Sequence, residues 1–326
     1  MKRNKYILFI FVLMVVFSLQ GCKTSKSDNK DNTNNRVYDL EDTMNSVYEK
    51  LNLKENFKNV PIKSEPIYVV ILDTGVQEAY AQSFYESKYS CMAKIVSYNN
   101  NSIFSTESRH GTLMQQLFDE MSIRAGTIKK VNTIHLKIKE NDNEKVSVDR
   151  ILNLMNQVIS LKKKGYDIRV LNISQTFSSK EDDYSKVADK IQLLKENGIL
   201  IVAAAGNNCK NNLDSNIFAK SKDVIIVGGI DLKDNLWNAG ENEGSPCNDR
   251  INIYSYAAGI NLGEKIPYFS EKVTGTSYSS LILSWIIANY ELVNDSIKID
   301  DILDNISSMK NNLRIIDVDK LCKETK

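Results

Sequence analysis

The stretch IYVVILDTG, residues 67–75, gives the strongest indication of the fold. Its first six residues are apolar almost without interruption, and polar residues do not alternate with them. Such a run is typical of a strand in a parallel sheet, where helices cover both faces. The run ends at Asp73-Thr74-Gly75, and Asp and Gly are common where a strand turns into a loop. We therefore predict a buried parallel strand that ends at Asp73.

Strand and helix patterns alternate along the rest of the chain. Further strands are predicted at 92–98, 131–138, 168–173, 199–205 and 224–228. Helices are predicted at 112–122, 149–164 and 184–197. A last helix begins near Thr276, and its body at 281–290 is apolar almost all round, which is typical of a helix buried inside a large domain. This order predicts an α/β fold with a doubly wound, mostly parallel sheet and helices on both faces.

Length and charge limit the classes of function. The chain has 326 residues, and its 42 Lys and Arg nearly balance 41 Asp and Glu. A net charge of +1 gives no basic surface for nucleic acid, and 42% apolar residues exclude a disordered chain. Repeats and internal linkers are not evident, and the polar stretch 295–326 suggests no elements. We expect a single domain that is monomeric and has no nucleic-acid partner.

The amino terminus has the pattern of an export signal. Three basic residues precede a run of fourteen residues at 6–19 that is apolar except for Ser18, whereas a membrane span needs about 20. The following Leu19-Gln20-Gly21-Cys22 resembles the lipobox of bacterial lipoproteins, which implies cleavage before Cys22 and attachment of a lipid to it. An uncleaved anchor and a plain secretory signal remain as alternatives. We expect an extracytoplasmic protein held at the cell membrane by its lipid.

A polar region separates this signal from the folded part. Residues 23–36 contain no apolar side chain and are predicted to form a solvated tether. A short amphipathic stretch follows at 37–57. The predicted organisation is a signal peptide at 1–21, lipidated Cys22 with tether and helical segment at 22–60, and a folded domain at 61–326.

Four residues whose side chains could take part in a reaction lie at strand ends or helix starts. Asp73 ends a strand, His110 opens a helix, Asn207 follows a strand within AAAGN, and Ser277 lies at the start of the buried helix. In α/β sheets, ligands and reacting groups gather at the carboxyl ends of strands. These residues supply an acid, a base, an amide donor and a nucleophile. The other histidine of the chain, His135, lies within a predicted strand and is assigned a structural role.

The motifs around these residues resemble those of the subtilases, the subtilisin-like serine proteases. Asp-Thr-Gly, His-Gly-Thr, Ala-Ala-Gly-Asn and Gly-Thr-Ser occur in the family's order, and the resemblance covers about residues 60–295. It implies that His110 activates Ser277, that Asp73 orients His110, and that Asn207 stabilises an oxyanion. The implied activity is that of a serine endopeptidase acting through an acyl-enzyme, with peptide or protein substrates and no required cofactor.

The resemblance also implies a substrate pocket. Asn172-Ile173-Ser174 resembles the family's Asn-x-Ser segment, so the backbone of Ser174 would line the pocket. Its facing wall would consist of Ala204, Ala205 and Gly206. The alternative is that both segments are simply buried strand ends. Two departures stand out, because Gln175-Thr176 replaces the usual Leu-Gly and Tyr278 follows the serine where Met is common.

Each proposed site residue has a plainer alternative. Asp73 could belong to a turn, His110 could merely begin a helix, Asn207 could be a left-handed turn residue, and Ser277 could cap its helix. For the whole chain, the alternatives are a catalytically weak subtilase-like lipoprotein that binds peptides or regulates, and a solute-binding lipoprotein. The second would not need four protease motifs in order.

Cysteines, metals and processing stay open at this level. Besides Cys22 the chain has Cys91, Cys209, Cys247 and Cys322, and either a Cys209–Cys247 disulfide or four free thiols would fit. Cysteine spacing suggests no metal site. Subtilases often bind structural calcium, but an EF-hand pattern is absent, so calcium remains undecided. The segment before Pro66 is too short for the usual propeptide, so the domain folds unassisted or 37–60 serves as a reduced version.

Overall fold

A computed structural model describes most of the chain. The described ranges are 46–57, 65–84, 88–97, 104–105, 109–139, 144–177, 181–210, 213–265, 269–292 and 298–323. The predicted signal peptide, the lipid site at Cys22 and the tether lie outside them. Within these ranges, no helix has the length and apolar character needed to cross a bilayer.

A nine-stranded sheet forms the centre of the fold. Its spatial order is β12 (Ser307–Lys310), β13 (Leu313–Ile316), β9 (Ile253–Tyr256), β8 (Val224–Ile230), β7 (Leu200–Ala204), β6 (Ile168–Ile173), β1 (Ile67–Asp73), β5 (Val131–Lys137) and β3 (Met92–Ser97). All neighbours pair in parallel except β12 and β13, which form an antiparallel hairpin. Two small ribbons pair β2 (Val76–Gln77) with β4 (Phe104–Ser105), and β10 (Ile260–Leu262) with β11 (Glu271–Val273).

Helices cover both faces of this sheet. They are α1 (Val47–Leu51), α2 (Leu53–Asn56), α3 (Glu78–Phe84), α4 (His110–Ala125), α5 (Val148–Lys163), α6 (Glu181–Glu196), α7 (Thr276–Glu291), α8 (Ile299–Ile306) and α9 (Val318–Lys323). Helix α7 packs along β1 and β6 to β9 and against α4, while α5 and α6 contact each other. Nearly every residue of α7 is buried, as its all-round apolar sequence predicts. The doubly wound α/β fold is confirmed.

The strand order reverses at β1, and this reversal positions the site. Later strands lie on both sides of β1, with β5 and β3 to one side and β6 to β9 to the other. The loops that leave neighbouring strands therefore diverge at the carboxyl end of β1, where a crevice can form. Asp73 is the last residue of this strand.

The amphipathic stretch near the amino terminus is part of the folded body. The Val47 N–H donates to the Gly259 carbonyl (3.1 Å), and the Phe57 ring packs edge-on to Trp285 at 5.0 Å between centroids. Both apolar side chains lie in the main hydrophobic core. The folded body therefore begins before the predicted boundary at residue 61. This packing favours an integral structural role for residues 46–57 over that of a removable propeptide.

Two further features were not settled by the sequence. From residue 298 onward, where no elements were predicted, α8, the β12–β13 hairpin and α9 extend the sheet. Cys91, Cys209 and Cys247 are free thiols, so the Cys209–Cys247 disulfide is not formed. The Cys209 thiol instead lies 3.7 Å from the Glu241 carbonyl oxygen. The side chain of Cys322 is outside the described residues.

Candidate active site

A buried Asp73 and a half-buried His110 form a close pair. The His110 Nδ1 atom lies 2.9 Å from both carboxylate oxygens of Asp73, whose side chain is fully buried. Burial acts to raise the pKa of Asp73, but His110 and the hydrogen bonds from Ser174 and Thr74 outweigh it and hold that pKa well below its usual range. Because Asp73 stays ionised, Nδ1 donates its proton to the carboxylate. In this tautomer the Nε2 atom carries the lone pair that can act as a base.

The Asp-Thr-Gly and His-Gly-Thr tripeptides hold the start of α4 against the end of β1. The Thr74 N–H donates to Asp73 Oδ1 (2.7 Å), and the Gly111 N–H donates to the Thr74 hydroxyl (3.1 Å). A side chain at position 111 would place its Cβ 2.0 Å from the Gly75 carbonyl oxygen. Only glycine therefore lets His110 approach Asp73 in this way.

Ser277 is connected to this pair through Ser174. The Ser277 hydroxyl donates to the Ser174 carbonyl (2.9 Å), and the Ser174 hydroxyl donates to Asp73 Oδ2 through a short hydrogen bond. Ser277 is half-buried at the second position of α7. It does not cap this helix, because the cap residue is Gly275, so the plainer alternative for Ser277 does not hold.

Asn207 lies beside the start of the same helix with its amide oriented. Its Oδ1 atom accepts hydrogen bonds from both the backbone N–H and the hydroxyl of Thr276, each at 2.9 Å. The Thr276 hydroxyl in turn accepts from the Gly206 N–H (3.0 Å). With Oδ1 fully engaged, the Nδ2 donor faces away from Thr276. Asn207 does not adopt a left-handed backbone, so the turn-residue alternative does not hold.

The close spacing at this point requires the glycine of Gly-Thr-Ser. Gly275 has a φ of 134°, outside the range of ordinary residues, and an added Cβ would lie 3.1 Å from Asn207 Nδ2. The structure thus brings Asp73, His110, Ser277 and Asn207 together at the carboxyl ends of the central strands.

The sequence profile of the subtilase family matches residues 64–304. This chain belongs to the subtilase family. The match includes all four motifs and spans most of the folded body.

Several solved structures share the fold at low sequence identity. The nisin leader peptidase from Lactococcus lactis has a TM-score of 0.65 and 16% identity, covering 86% of this chain and 93% of its own. The A-subunit of the AB5 toxin from E. coli has a TM-score of 0.64 and 18% identity, covering 86% of this chain and 99% of its own. A cold-adapted subtilisin-like serine proteinase has a TM-score of 0.59 and 16% identity, covering 79% of this chain and 90% of its own.

In this subtilase the predicted pocket residues lie next to the site, but they are mostly internal. Ala204 is the last residue of β7, and the Ala205 N–H donates to the Val227 carbonyl (3.0 Å). Both alanine side chains are buried, whereas Gly206 is half-exposed. Their role in binding a substrate side chain, like that of the Ser174 backbone, remains a prediction.

Three supporting groups were not assigned from the sequence. They are the hydroxyls of Thr74 and Thr276, which hold Gly111 and Asn207, and the hydroxyl of Ser174, which contacts Asp73. Both threonines occupy the middle of a motif tripeptide, and this position could have identified them as supporting residues. The Ser174 hydroxyl had no such signal, because its approach to Asp73 depends on the pairing of β1 with β6.

The second histidine is separate from this site. His135 is fully buried on β5, and its Nε2 atom lies 2.7 Å from Gln115 Oε1. Burial lowers the pKa of His135 to about 4, so the ring is neutral near pH 7. The described residues contain no group of three or more His, Cys, Asp or Glu side chains suited to a metal ion.

Proposed function

We propose that this subtilase is a serine endopeptidase that hydrolyses peptide bonds through an acyl-enzyme. One observation carries the proposal, namely the hydrogen-bonded series from Ser277 through Ser174 and Asp73 to His110. An ionised Asp73 that fixes the His110 tautomer is what a general base requires.

The reaction follows from the positions of these groups. The Ser277 hydroxyl turns from the Ser174 carbonyl to His110 Nε2, gives up its proton and attacks the substrate carbonyl. The Ser277 N–H at the start of α7 and the Asn207 Nδ2 donate to the oxyanion that forms. His110 then passes the proton to the departing amine, and water releases the acyl group in a second cycle. No step requires a redox or nucleotide cofactor.

A fluorophosphonate probe tests this proposal. We expect the purified domain to be labelled, and both Ser277→Ala and His110→Ala to lose the label. Ser279→Ala is the matched control, because Ser279 lies in the same helix and its buried hydroxyl has no partner in the described part of the chain. Loss of label in Ser279→Ala as well would point to a folding defect.

One observation favours a second candidate, a catalytically weak relative that binds peptides or regulates. The Ser277 hydroxyl donates to the Ser174 carbonyl, and a hydrogen bond from it to His110 is not formed among the described residues. Such bonds are often loose before a substrate binds. A folded wild-type domain that takes no label and cleaves no peptide would support this candidate over the protease.

We further propose that the protease is a monomer, anchored outside the cell membrane by a lipid on Cys22. The lipobox-like sequence and the polar stretch that follows it support the lipid anchor. Processing that is blocked by globomycin and lost in Cys22→Ser, with release from the membrane fraction, is the expected result. Unchanged membrane association of Cys22→Ser would contradict it.

A further inference from the structure

Tyr278 is an unusual neighbour for His110. It follows Ser277 directly, where subtilases commonly carry Met, and its side chain is 5% exposed. The ring centroids of Tyr278 and His110 are 5.7 Å apart, and the planes are tilted by 48°. The tyrosine therefore packs against the imidazole, instead of lining open space.

The charged groups around His110 are arranged asymmetrically. Asp73 faces Nδ1 from β1, and Arg109 beside it is paired with Glu271 of β11 (2.6 Å). The Arg109 guanidinium also stacks on the Phe269 ring at 4.0 Å. Lys137 of β5, in register with Asp73, donates to the Phe104 carbonyl. Among these groups, Tyr278 supplies the aromatic surface next to the imidazole.

An aromatic ring at this distance attracts a cation. The face of the ring carries negative charge density, and a cation within about 6 Å of its centroid is stabilised. Burial, Asp73 and Glu271 raise the pKa of Tyr278, so its ring stays neutral at any working pH. His110 becomes cationic when it takes the proton of Ser277, with Asp73 and Tyr278 both in contact with it.

We propose that Tyr278 is a positioning residue that holds the His110 imidazole against Asp73 and favours its protonated form during the reaction. The proposal rests on the protease function given above, but it makes a prediction that does not depend on activity.

Tyr278→Met tests the proposal, with Tyr278→Phe as the matched control that keeps the ring. The chain has two histidines, so NMR titration can follow His110 while buried His135 serves as an internal reference. Without the ring, we expect the midpoint of His110 to move to lower pH by about 0.4–0.7 units. We expect Tyr278→Phe to titrate like the wild type. The same comparison in a Ser277→Ala background removes any dependence on turnover.

Activity provides the second readout. For Tyr278→Met we expect kcat to fall about 2- to 5-fold with KM nearly unchanged, and the acid limb of the pH–rate profile to move to lower pH. Tyr278→Leu repeats the test if Met packs poorly, and thermal unfolding confirms that each variant is folded. A midpoint that stays or rises in folded ring-free variants, or a Tyr278→Phe variant that behaves like Tyr278→Met, would overturn the proposal. The wild type could also take no fluorophosphonate label while the His110 midpoint still moves as expected between the wild type and the ring-free variants. That result would contradict only the protease function.

Discussion

At the scale of single residues, the orientation of one amide decides whether Asn207 can act as a donor. Thr276 donates two hydrogen bonds to the Asn207 Oδ1 atom, which leaves Nδ2 as the side-chain donor that does not face Thr276. If Nδ2 binds the oxyanion, Asn207→Ala should lower kcat about 10²- to 10³-fold while KM changes little, because the oxyanion exists only after attack. Steady-state kinetics on a peptide substrate provide the measurement. A change confined to KM would contradict this role.

Loss of the Thr276 hydroxyl should also lower kcat, but by less than loss of the Asn207 side chain. Thr276→Val removes the hydroxyl, although the backbone N–H still reaches Oδ1. We expect kcat to fall about 10-fold, which corresponds to one lost hydrogen bond near 1.4 kcal/mol. Thr276→Ser keeps the hydroxyl and should retain most of the activity. A larger loss in Thr276→Ser than in Thr276→Val would show that the methyl group, and not the hydroxyl, is what matters.

Asp119 makes stability depend on pH. It lies on the buried side of α4 and accepts hydrogen bonds from the Tyr80 hydroxyl (3.0 Å), the Cys91 N–H (2.7 Å) and Gln115 (2.8 Å). Burial raises the pKa of Asp119 from 3.8 to about 7 despite these bonds. The folded state therefore binds more protons than the unfolded state between these pH values, so this residue's contribution to stability falls as pH rises through that window.

His135 changes the pH dependence of stability in the opposite direction from Asp119. Burial lowers its pKa from 6.5 to about 4, so the unfolded state binds the extra proton and stability rises with pH between those values. The two contributions oppose each other from about pH 4 to 6.5. We expect thermal unfolding of Asp119→Asn to show a midpoint that rises with pH in this range and stays level up to pH 8, whereas the wild type falls between pH 6.5 and 8. Parallel curves for both proteins would contradict the assignment.

At the scale of elements, the site depends on how closely α4 approaches β1. In Gly111→Ala, the new Cβ would overlap the Gly75 carbonyl, so α4 must move and take His110 with it. We expect a loss of about 3 kcal/mol in stability, or about 5 °C in Tm, and near-complete loss of activity. Gly240→Ala is the matched control, because nothing lies within 4 Å of its added Cβ and its φ is not in the left-handed range. A normally active Gly111→Ala would show that the two elements are less tightly coupled than this contact indicates.

The elements that could be predicted from sequence are those buried on both faces. Strands β1 and β6 to β8 are almost wholly buried, and their apolar runs marked them to within two residues. The β12–β13 hairpin was not predicted, because an edge strand needs little apolar content and Ser307–Lys310 is largely polar. The candidate site residues were predicted from their motifs. The hydrogen bonds between them depend on strand order, which no local pattern contains.

At the scale of the whole molecule, the amino-terminal helices complete the core from outside the motif region. Val47, Leu51, Leu53 and Phe57 are nearly inaccessible, and the Trp285 that receives Phe57 also donates to the Ser122 hydroxyl of α4 (2.9 Å). The segment thus supports the packing of α7 on α4, the two helices that carry Ser277 and His110. We therefore expect processing that leaves the domain folded to cut before residue 46.

Truncation tests this dependence. A chain that begins at Ser46 should unfold at the same temperature as one that begins at residue 23 and should label equally with the fluorophosphonate. A chain that begins at residue 58 exposes the apolar surface around Trp285, so we expect it to aggregate or to unfold at a markedly lower temperature. Phe57→Ala is a milder change than truncation. It should lower the free energy of unfolding by about 3–5 kcal/mol, because it leaves a cavity beside Trp285. Full stability and labelling of the chain from residue 58 would mean that residues 46–57 are a dispensable attachment, and the propeptide alternative would then return.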